Sequence, residues 1–228
     1  MTTLYAIPTP LGGSPEDSLS ESSLQKIRAL QDFAVENAKS ARAFLGALGM
    51  PVRELGISVV SEDFSSLLKP LDEGRDLGLL SEAGCPAIAD PGAKLVEAAH
   101  AKGYRVVPLV GPSSIVMALM ASGLEGQRFA FCGYLPREPA PRTKRIKELE
   151  NRSRREAETE IFIETPYRND ALFAALLETC AETTRLCVAA DLTLPNEAIR
   201  TQTIAAWRRK PAPPGKRPAV FLLLAQNR

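Results

Sequence analysis

Three loops rich in glycine and proline hold the residues most suited to chemistry. They cover residues 8–13, 81–92 and 108–114, and we call them the first, second and third loops. Each follows an apolar run typical of a strand, and open α/β sheets bind ligands where their strands end. Glycine and proline hold unusual backbone conformations that leave amides and carbonyls available to a ligand. The loops therefore predict a binding site built largely from backbone.

Each loop also has a structural interpretation. The first has neither the G-x-G-x-x-G pattern nor a P-loop lysine, which disfavours an ordinary Rossmann or P-loop enzyme. The second is equally consistent with a rigid connection. In the third, the local sequence favours Ser113 or Ser114 as a helix cap, although a helix start also suits a carboxylate or phosphate.

Few side chains are available for classical catalysis or metal binding. The only histidine, His100, lies at the exposed end of a predicted helix, which nearly excludes Ser-His-Asp and Cys-His catalysis. The four cysteines, Cys85, Cys132, Cys180 and Cys187, contain no C-x-x-C pair. This spacing argues against a zinc site and against a disulfide framework. We expect reduced thiols and no metal.

Positive charge is concentrated in two segments, although the net charge of the 228 residues is only +1. Residues 137–155 contain eight basic and three acidic residues, and residues 208–217 contain five basic residues and no acid. Each window carries +5, which leaves about −9 for the rest. A polyanion bound on one face suits this asymmetry, and a solvated helix face with a basic loop explains it equally well.

The elements that must position these residues follow an alternating pattern. Apolar runs rich in β-branched residues alternate with amphipathic stretches, which predicts βαβ units on a parallel sheet. In the first half we expect strands near residues 4–7, 33–36, 57–60, 77–80 and 105–107, and helices near 19–30, 40–48, 64–71 and 94–102. The first of these helices begins with the capping-box spacing Ser18-Leu19-Ser20-Glu21.

The second half shows a similar alternation of predicted strands and helices. We expect strands near residues 129–132, 160–164, 185–190 and 220–224, helices near 114–121, 142–155 and 169–182, and an irregular stretch before the last strand. Because Gly111-Pro112 breaks the pattern, the predicted domains are residues 1–111 and 112–228. The predicted fold class is α/β, with two α/β/α domains and the ligand cleft between them.

No apolar run approaches the roughly 20 residues that a transmembrane helix needs. The amino terminus also lacks the basic and apolar regions of a secretory signal. We therefore expect a cytoplasmic protein with no membrane partner.

Several segments resemble the tetrapyrrole methylase superfamily. The most specific are LLSEAGCPAIADPG (residues 79–92), VGPSS (110–114) and GYLPRE (133–138). The match continues at YAIPTPLG (5–12) and FIETPYR (162–168), and more faintly at DLTLPNE (191–197). The nearest branch is that of the 16S ribosomal RNA cytidine 2′-O-ribose methyltransferases. This chain departs from it at residues 12–18, 36–39 and 82–89. We also expect it to lack the branch's carboxy-terminal extension.

The resemblance implies a homodimeric enzyme that binds S-adenosylmethionine. The cofactor-binding residues that it implies are Pro10, Leu11, Ser81, Gly84, Ala87, Ile88, Asp90, Ser113, Ser114, Glu164, Thr165, Leu192, Thr193 and Pro195. The expected substrate-binding residues are Lys39, Arg42, Arg137 and Arg168. Because a sulfonium is already an activated methyl donor, alignment of the reactants supplies much of the acceleration. Glu36, Glu82 and Asp90 are candidates for a base, and the sequence does not choose among them.

Our leading hypothesis is S-adenosylmethionine-dependent methylation of RNA, similar to ribose 2′-O-methylation of ribosomal RNA. One alternative acceptor is a small molecule such as a tetrapyrrole. A second alternative is a relative that binds the cofactor or RNA without turnover. A third is an α/β enzyme that binds a sugar phosphate or a nucleotide. The exact acceptor atom stays open.

Overall fold

The structure, a computed structural model, describes residues 2–225. It divides the chain into two compact units, one ending at Ser113 and the other beginning at Ser114. Each unit contains a five-stranded sheet flanked by helices. The predicted α/β class is therefore confirmed. Within residues 2–225 no helix is both long and apolar enough to span a bilayer.

The first unit alternates strands and helices. Its strands are β1 (Thr3–Ile7), β2 (Asp32–Val35), β3 (Gly56–Val59), β4 (Leu77–Leu80) and β5 (Arg105–Pro108). Its helices are α1 (Pro15–Ser18), α2 (Glu21–Arg28), α3 (Ala38–Ala47), α4 (Phe64–Asp72) and α5 (Ala93–Ala101). The sheet order is β3-β2-β4-β1-β5, and every neighbouring pair is parallel. The predicted parallel sheet is confirmed here.

Two cores cover the two faces of this sheet. On one face, Leu24 of α2 and Leu45 of α3 pack with Phe33 of β2. On the other, Leu68 of α4 and Leu95 of α5 pack with strand residues such as Leu79 and Leu77. Alternate strand residues point to opposite faces, so the apolar runs in β1, β2 and β4 supply both cores.

The second unit also contains five strands. They are β6 (Phe129–Tyr134), β7 (Thr159–Ile163), β8 (Arg185–Ala190), β9 (Ala198–Thr203) and β10 (Ala219–Leu224). Its helices are α6 (Ser114–Ser122), α7 (Pro139–Glu156), α8 (Asn169–Thr179) and α9 (Ile204–Arg209), with a 3₁₀ turn at Pro166–Arg168. Its main core, around Phe162, Phe221 and Trp207, is packed by α7, α8 and α9.

The prediction of a parallel sheet is wrong for the second unit. Its order is β6-β7-β10-β8-β9, and only β6 and β7 are parallel. The last strand, β10, is antiparallel to both β7 and β8, and β8 is antiparallel to β9. Strand direction depends on which segments become neighbours, and the apolar pattern within one strand does not record it.

Two local predictions also need correction. The helix expected from residue 19 begins at Glu21, and its cap is Ser20, whose side chain accepts a hydrogen bond from the Ser23 amide. Ser18 instead ends the separate helix α1, which begins at Pro15. The stretch expected to be irregular contains β9 and α9.

Candidate active site

The three loops lie side by side at the edge of the first sheet where its strands end. They follow β1, β4 and β5, and these strands are adjacent and parallel. After β1 the chain continues to α2 on one face of the sheet, whereas after β4 it continues to α5 on the other face. A crevice at such a topological switch point is the usual ligand site of an open α/β sheet.

An isolated β-bridge joins the first and second loops. Thr9 and Gly84 exchange two backbone hydrogen bonds, each 2.9 Å long. The Ser81 hydroxyl donates to the Gly84 carbonyl at 3.0 Å, and the Thr9 hydroxyl donates to the Ser81 carbonyl at 3.4 Å. Because Thr9, Ser81 and Gly84 are buried, these bonds fix the relative position of the two loops.

The third loop approaches the other two closely. A Cβ atom on Gly111 would lie 2.5 Å from the Cβ of Pro8, so no larger residue fits without a shift. A Cβ atom on Gly84 would meet Leu11 at 3.2 Å. The Cys85 thiol donates to the carbonyl oxygen of Pro112 at 3.4 Å. The first unit therefore brings together the predicted residues Leu11 and Gly84 with the segment that leads to Ser113.

The second loop contains two alanines in the left-handed region of backbone conformation. Ala87 has φ of 66° and Ala89 has φ of 63°. This region is uncommon for residues with a Cβ atom, and such conformations cluster at ligand sites. Ile88, between them, is 50% exposed. The second loop thus holds a strained backbone and an exposed apolar side chain at positions predicted to bind the cofactor.

Three carboxylates, those of Glu36, Glu82 and Asp90, lie near one another at this edge. Glu36 follows β2, and its Oε2 accepts a hydrogen bond from the Glu82 amide at 2.9 Å. Partial burial, together with the negative charges of Glu36 and Glu82, raises the pKa of Asp90 to about 6. Within residues 2–225, no group of three His, Cys, Asp or Glu side chains is placed to hold a metal ion.

Lys39 and Arg42 are exposed on the first turns of α3. The helix is capped by Asn37, whose Oδ1 accepts from the Lys39 amide at 2.8 Å and the Ser40 amide at 3.4 Å. Asn37 lies within residues 36–39, one of the segments where the sequence departs from the branch that it resembles. Asn is among the side chains that cap helices best, so this residue defines where α3 begins.

A second group of predicted residues lies at one edge of the second sheet. β6 and β7 are parallel, and β8 runs in the same direction because both β7 and β8 are antiparallel to β10. The three strands therefore end at one edge, which we call the carboxyl edge of the second sheet. Arg137 follows β6, Glu164, Thr165 and Arg168 follow β7, and Leu192, Thr193 and Pro195 follow β8. 

Helix α6 points its start toward this same edge. Its carboxyl end lies near the beginning of β8, where Arg185 donates to the Gly123 carbonyl at 3.0 Å. The helix also packs against β8, β9 and β10. Its first residue is Ser114, one of the predicted cofactor-binding residues. Ser114 therefore lies toward the ends of β7 and β8.

Glu164 is a buried carboxylate with only one oxygen satisfied. Its Oε1 accepts from the Thr165 amide at 2.6 Å and from Arg168 Nε at 2.9 Å and Nη2 at 2.5 Å. The other oxygen, Oε2, has no hydrogen-bond partner among the described residues, although the side chain is 0% exposed. A buried acceptor without a donor is costly, and such an atom suggests an unseen ligand.

The loop after β8 is held in a strained conformation. Asp191 has φ of 52° and Thr193 has φ of 71°. Asn196 donates to Asp191 Oδ2 at 2.5 Å, and Glu197 accepts from the Thr193 amide at 2.8 Å. Leu192, which lies between Asp191 and Thr193 in the sequence, is buried. Thr193 and Pro195 are exposed.

Comparison with known proteins identifies the family. The protein family described as Tetrapyrrole (Corrin/Porphyrin) Methylases matches residues 20–207 of this chain. The chain belongs to this family. The resemblance stated from the sequence is therefore confirmed.

The relatives of this tetrapyrrole methylase include ribosomal RNA enzymes. A protein of Xylella fastidiosa named ribosomal RNA small subunit methyltransferase I is 32% identical, over 99% of this chain and 81% of the relative. One of the same name from Escherichia coli O157:H7 is 32% identical, over 90% of this chain and 71% of the relative. The predicted enzyme class, a methyltransferase, is confirmed.

Two solved structures share the fold. The methyltransferase CobJ has a TM-score of 0.66 at 19% identity, over 99% of this chain and 95% of CobJ. The uroporphyrin-III-C-methyltransferase from Thermus thermophilus has a TM-score of 0.57 at 20% identity, over 98% and 94%. Both support a tetrapyrrole methylase fold of two α/β domains.

The structure thus gathers the predicted cofactor residues of this methylase into two groups, one in each unit. Pro10, Leu11, Ser81, Gly84, Ala87, Ile88, Asp90 and Ser113 belong to the three loops of the first unit. Ser114, Glu164, Thr165, Leu192, Thr193 and Pro195 belong to the second unit. A ligand cleft between the domains stays a prediction.

The site also contains three residues that the sequence does not single out, namely Gly111, Asp191 and Tyr167. Gly111 and Asp191 lie in the motifs VGPSS and DLTLPNE, but the close approach of Gly111 to Pro8 and the left-handed backbone of Asp191 are set by the folded loops. Tyr167 lies within a recognised motif, and its 83% exposure is the feature that sets it apart.

Proposed function

We propose that this chain is an S-adenosylmethionine-dependent methyltransferase that acts on the RNA of the small ribosomal subunit. The observation that carries the proposal is the 32% identity, over 99% of the chain, to a protein named for that activity. The three loops and the carboxyl edge of the second sheet support it, because both contain strained backbone and buried polar groups.

The chemistry of the described residues fits this cofactor. Adenosine presents an amino group and two ribose hydroxyls as donors, and Glu164 Oε2 is a buried acceptor without a donor. The amino-acid end presents an ammonium and a carboxylate. The first unit offers the carboxylates of Glu36 and Glu82 for a cation, and hydroxyls such as that of Ser113.

When bound, S-adenosylmethionine supplies an activated methyl group. The chain's own residues have three tasks: to hold the donor, to align the acceptor and to receive a proton. Of the three candidate bases, Asp90 has a pKa raised to about 6 by burial and by Glu36 and Glu82. A base titrating near the working pH is the most effective. We therefore assign this task to Asp90.

The distribution of charge favours a polyanionic acceptor at the second unit. Residues 114–228 contain eighteen basic and thirteen acidic residues, a net charge of +5, whereas residues 1–113 contain ten basic and fourteen acidic residues, a net charge of −4. Arg137 is exposed at the carboxyl edge, and Lys39 and Arg42 are exposed on α3. These side chains are suited to bind phosphates of the RNA.

The test uses the purified full-length chain. Calorimetric titration with S-adenosylhomocysteine measures cofactor binding, and transfer of labelled methyl from S-adenosylmethionine into 16S ribosomal RNA measures the activity. Glu164→Gln should weaken cofactor binding at least tenfold, because a hydrogen bond to a buried carboxylate is lost. Glu178→Gln, at an exposed position of α8, should leave cofactor binding unchanged.

Two results contradict the proposal. Absence of saturable cofactor binding would remove the methyl donor. Label appearing in a tetrapyrrole extract and not in RNA would replace the acceptor with a small molecule.

We also propose a homodimer in the cytoplasm, where a ribosomal RNA acceptor is found. Met120 of α6 is 79% exposed and Tyr134 of β6 is 55% exposed, and large exposed apolar side chains favour association. Light scattering of the full-length chain should give twice the mass of 24.6 kDa, and a monomer would refute this assembly.

A further inference from the structure

The most exposed large hydrophobic side chain in the described part of the second unit is that of a tyrosine at the carboxyl edge of its sheet. Tyr167 is 83% exposed and lies in the 3₁₀ turn that follows Glu164 and Thr165. An aromatic ring in water leaves a large apolar area uncovered, which favours a flat partner. The ring lies three residues from the buried Glu164, so a partner on it would also be next to the candidate site.

A lysine from a different segment lies over this ring. Lys216 Nζ is 5.4 Å from the ring centroid of Tyr167, a cation–π distance. Lys216 itself is exposed and belongs to the basic segment 208–217, which contains no acid. The two side chains therefore combine an aromatic surface with a positive charge.

The backbone that displays Tyr167 and Lys216 is rigidly held. The buried Asn169 donates from Nδ2 to the carbonyl oxygens of Gly215 at 3.1 Å and Arg217 at 2.7 Å, which flank Lys216 on both sides. The Gly215 amide donates to Asp170 Oδ1 at 2.8 Å. These hydrogen bonds join the start of α8, directly after the 3₁₀ turn, to residues 215–217. Such preorganisation reduces the ordering cost of binding.

We propose that Tyr167 and Lys216 form a binding site for one unpaired nucleotide of a single-stranded RNA segment. The base stacks on the tyrosine ring, and the lysine contacts an adjacent phosphate. Recognition of RNA by side chains usually involves unstacked bases placed on aromatic rings, with nearby cations for the backbone. A duplex lacks such a base and should bind less well.

This inference rests on the proposed function. It adds that the RNA acceptor is single-stranded where it binds the site. If Tyr167 and Lys216 hold a nucleotide beside Glu164, the methyl acceptor lies in a loop or an opened strand and not inside a helix. The neighbouring Arg168 is bonded to Glu164 and Thr165, so Lys216 is the cation that faces the ring.

The experiment measures binding of a fluorescein-labelled, unstructured RNA of about twelve nucleotides to the full-length chain by anisotropy. Tyr167→Ala should weaken binding about tenfold, and Tyr167→Phe should retain it, because stacking needs the ring and not the hydroxyl. Lys216→Ala should lower the slope of log K against log salt by about 0.7, the value for one contact with a single strand.

Two matched controls distinguish this site from general exposure and charge. Phe129→Ala removes an aromatic side chain that is 44% exposed at the opposite end of the sheet, where β6 begins. Lys69→Ala removes one surface lysine of the first unit, on α4. Both variants should bind the RNA with unchanged affinity and salt slope.

The inference is overturned if Tyr167→Ala binds and methylates RNA as the wild type does, or if a duplex of the same sequence binds equally tightly. In that case transfer of methyl to 16S ribosomal RNA by the wild type still supports the proposed function. If the wild type binds S-adenosylhomocysteine but neither binds nor methylates RNA, the RNA acceptor itself is refuted. Unchanged cofactor binding by Tyr167→Ala excludes misfolding.

Discussion

Asp90 is the residue whose ionisation the fold changes most usefully. It is half-buried in the second loop, and burial together with Glu36 and Glu82 raises its pKa from 3.8 to about 6. The folded chain therefore binds this proton more tightly than the unfolded chain does. Stability from this group is fully present below about pH 4 and decreases as pH rises to about 6.

Asp90→Asn should remove this dependence. The variant carries no charge at any pH, so it should be more stable than the wild type above pH 6, by about 1 kcal/mol after allowance for solvent screening. The difference should disappear near pH 4. Urea unfolding followed by circular dichroism at a series of pH values measures it.

Glu97→Gln provides the control for this experiment, because Glu97 is an exposed carboxylate of α5. It should give no pH-dependent gain. A stability difference for Asp90→Asn that is the same at pH 4 and pH 7 would contradict the raised pKa. If Asp90 also receives the proton of the acceptor, the same variant should lose methyl transfer while it keeps RNA binding.

At the level of the element, the close contact between the first and third loops should limit which residues fit. Gly111→Ala should destabilise the chain by about 1–3 kcal/mol, because its Cβ would lie 2.5 Å from Pro8 Cβ and 2.9 Å from Leu19 Cδ2. Gly46→Ala is the matched control. Gly46 lies in α3, and a Cβ there would meet Val52 at an ordinary 3.8 Å.

The control should have the opposite sign, since alanine replaces glycine inside a helix. Gly46→Ala should stabilise the chain by about 0.5–1 kcal/mol. Urea unfolding of the two variants under the same conditions gives both values. A Gly111→Ala variant as stable as the wild type would mean that the loops are free to separate.

The sequence predicts best those elements whose apolar residues are buried and form a clear pattern along the chain. The sequence predicts β4 and β8 at their observed bounds, Leu77–Leu80 and Arg185–Ala190, because almost every residue in them is buried. β9, with the sequence AIRTQT, is a half-exposed edge strand whose polar residues give no apolar alternation. The helix after it, Ile204–Arg209, is too short to show a helical period.

For the candidate site, the sequence predicted which loops gather but not the contacts within them. Loops that follow adjacent parallel strands must share an edge, so the approach of residues 8–13 to residues 81–92 follows from the strand order. The Thr9–Gly84 bridge and the influence of Glu36 on Asp90 join residues far apart in the chain. No local pattern encodes such pairs.

Across the whole molecule, much of the positive charge in α7 is already neutralised. Arg145 pairs with Glu148, Arg154 with Glu150 and Arg155 with Glu156. Arg152 is bonded to the buried Glu160 and to Cys132, which explains why this arginine points inward. The net charge of +5 for residues 137–155 already includes Glu148 and Glu150, but Glu156 and Glu160 lie outside that window. Their pairs with Arg155 and Arg152 therefore make +5 an overestimate of the charge that faces a polyanion.

Lys144 and Lys147 are the cations of α7 best placed to bind RNA. They are exposed, lie three residues apart on one face of the helix, and form no ion pair within residues 2–225. A phosphate contact at each would release one counterion. Replacing both with alanine should therefore lower the slope of log K against log salt by about 1.4 for a single-stranded RNA.

The same loss of charge in the first unit should have little effect, because that unit has a net charge of −4. The matched variant is Lys69→Ala with Lys94→Ala, on α4 and α5. Anisotropy titrations across a range of salt concentrations compare the two double variants.

If the Lys144→Ala/Lys147→Ala variant and the wild type have the same slope of log K against log salt, the RNA binds away from α7. The residues around Tyr167 would then be its main cationic contact. Equal reductions for both pairs would indicate a response to total charge and no preferred face.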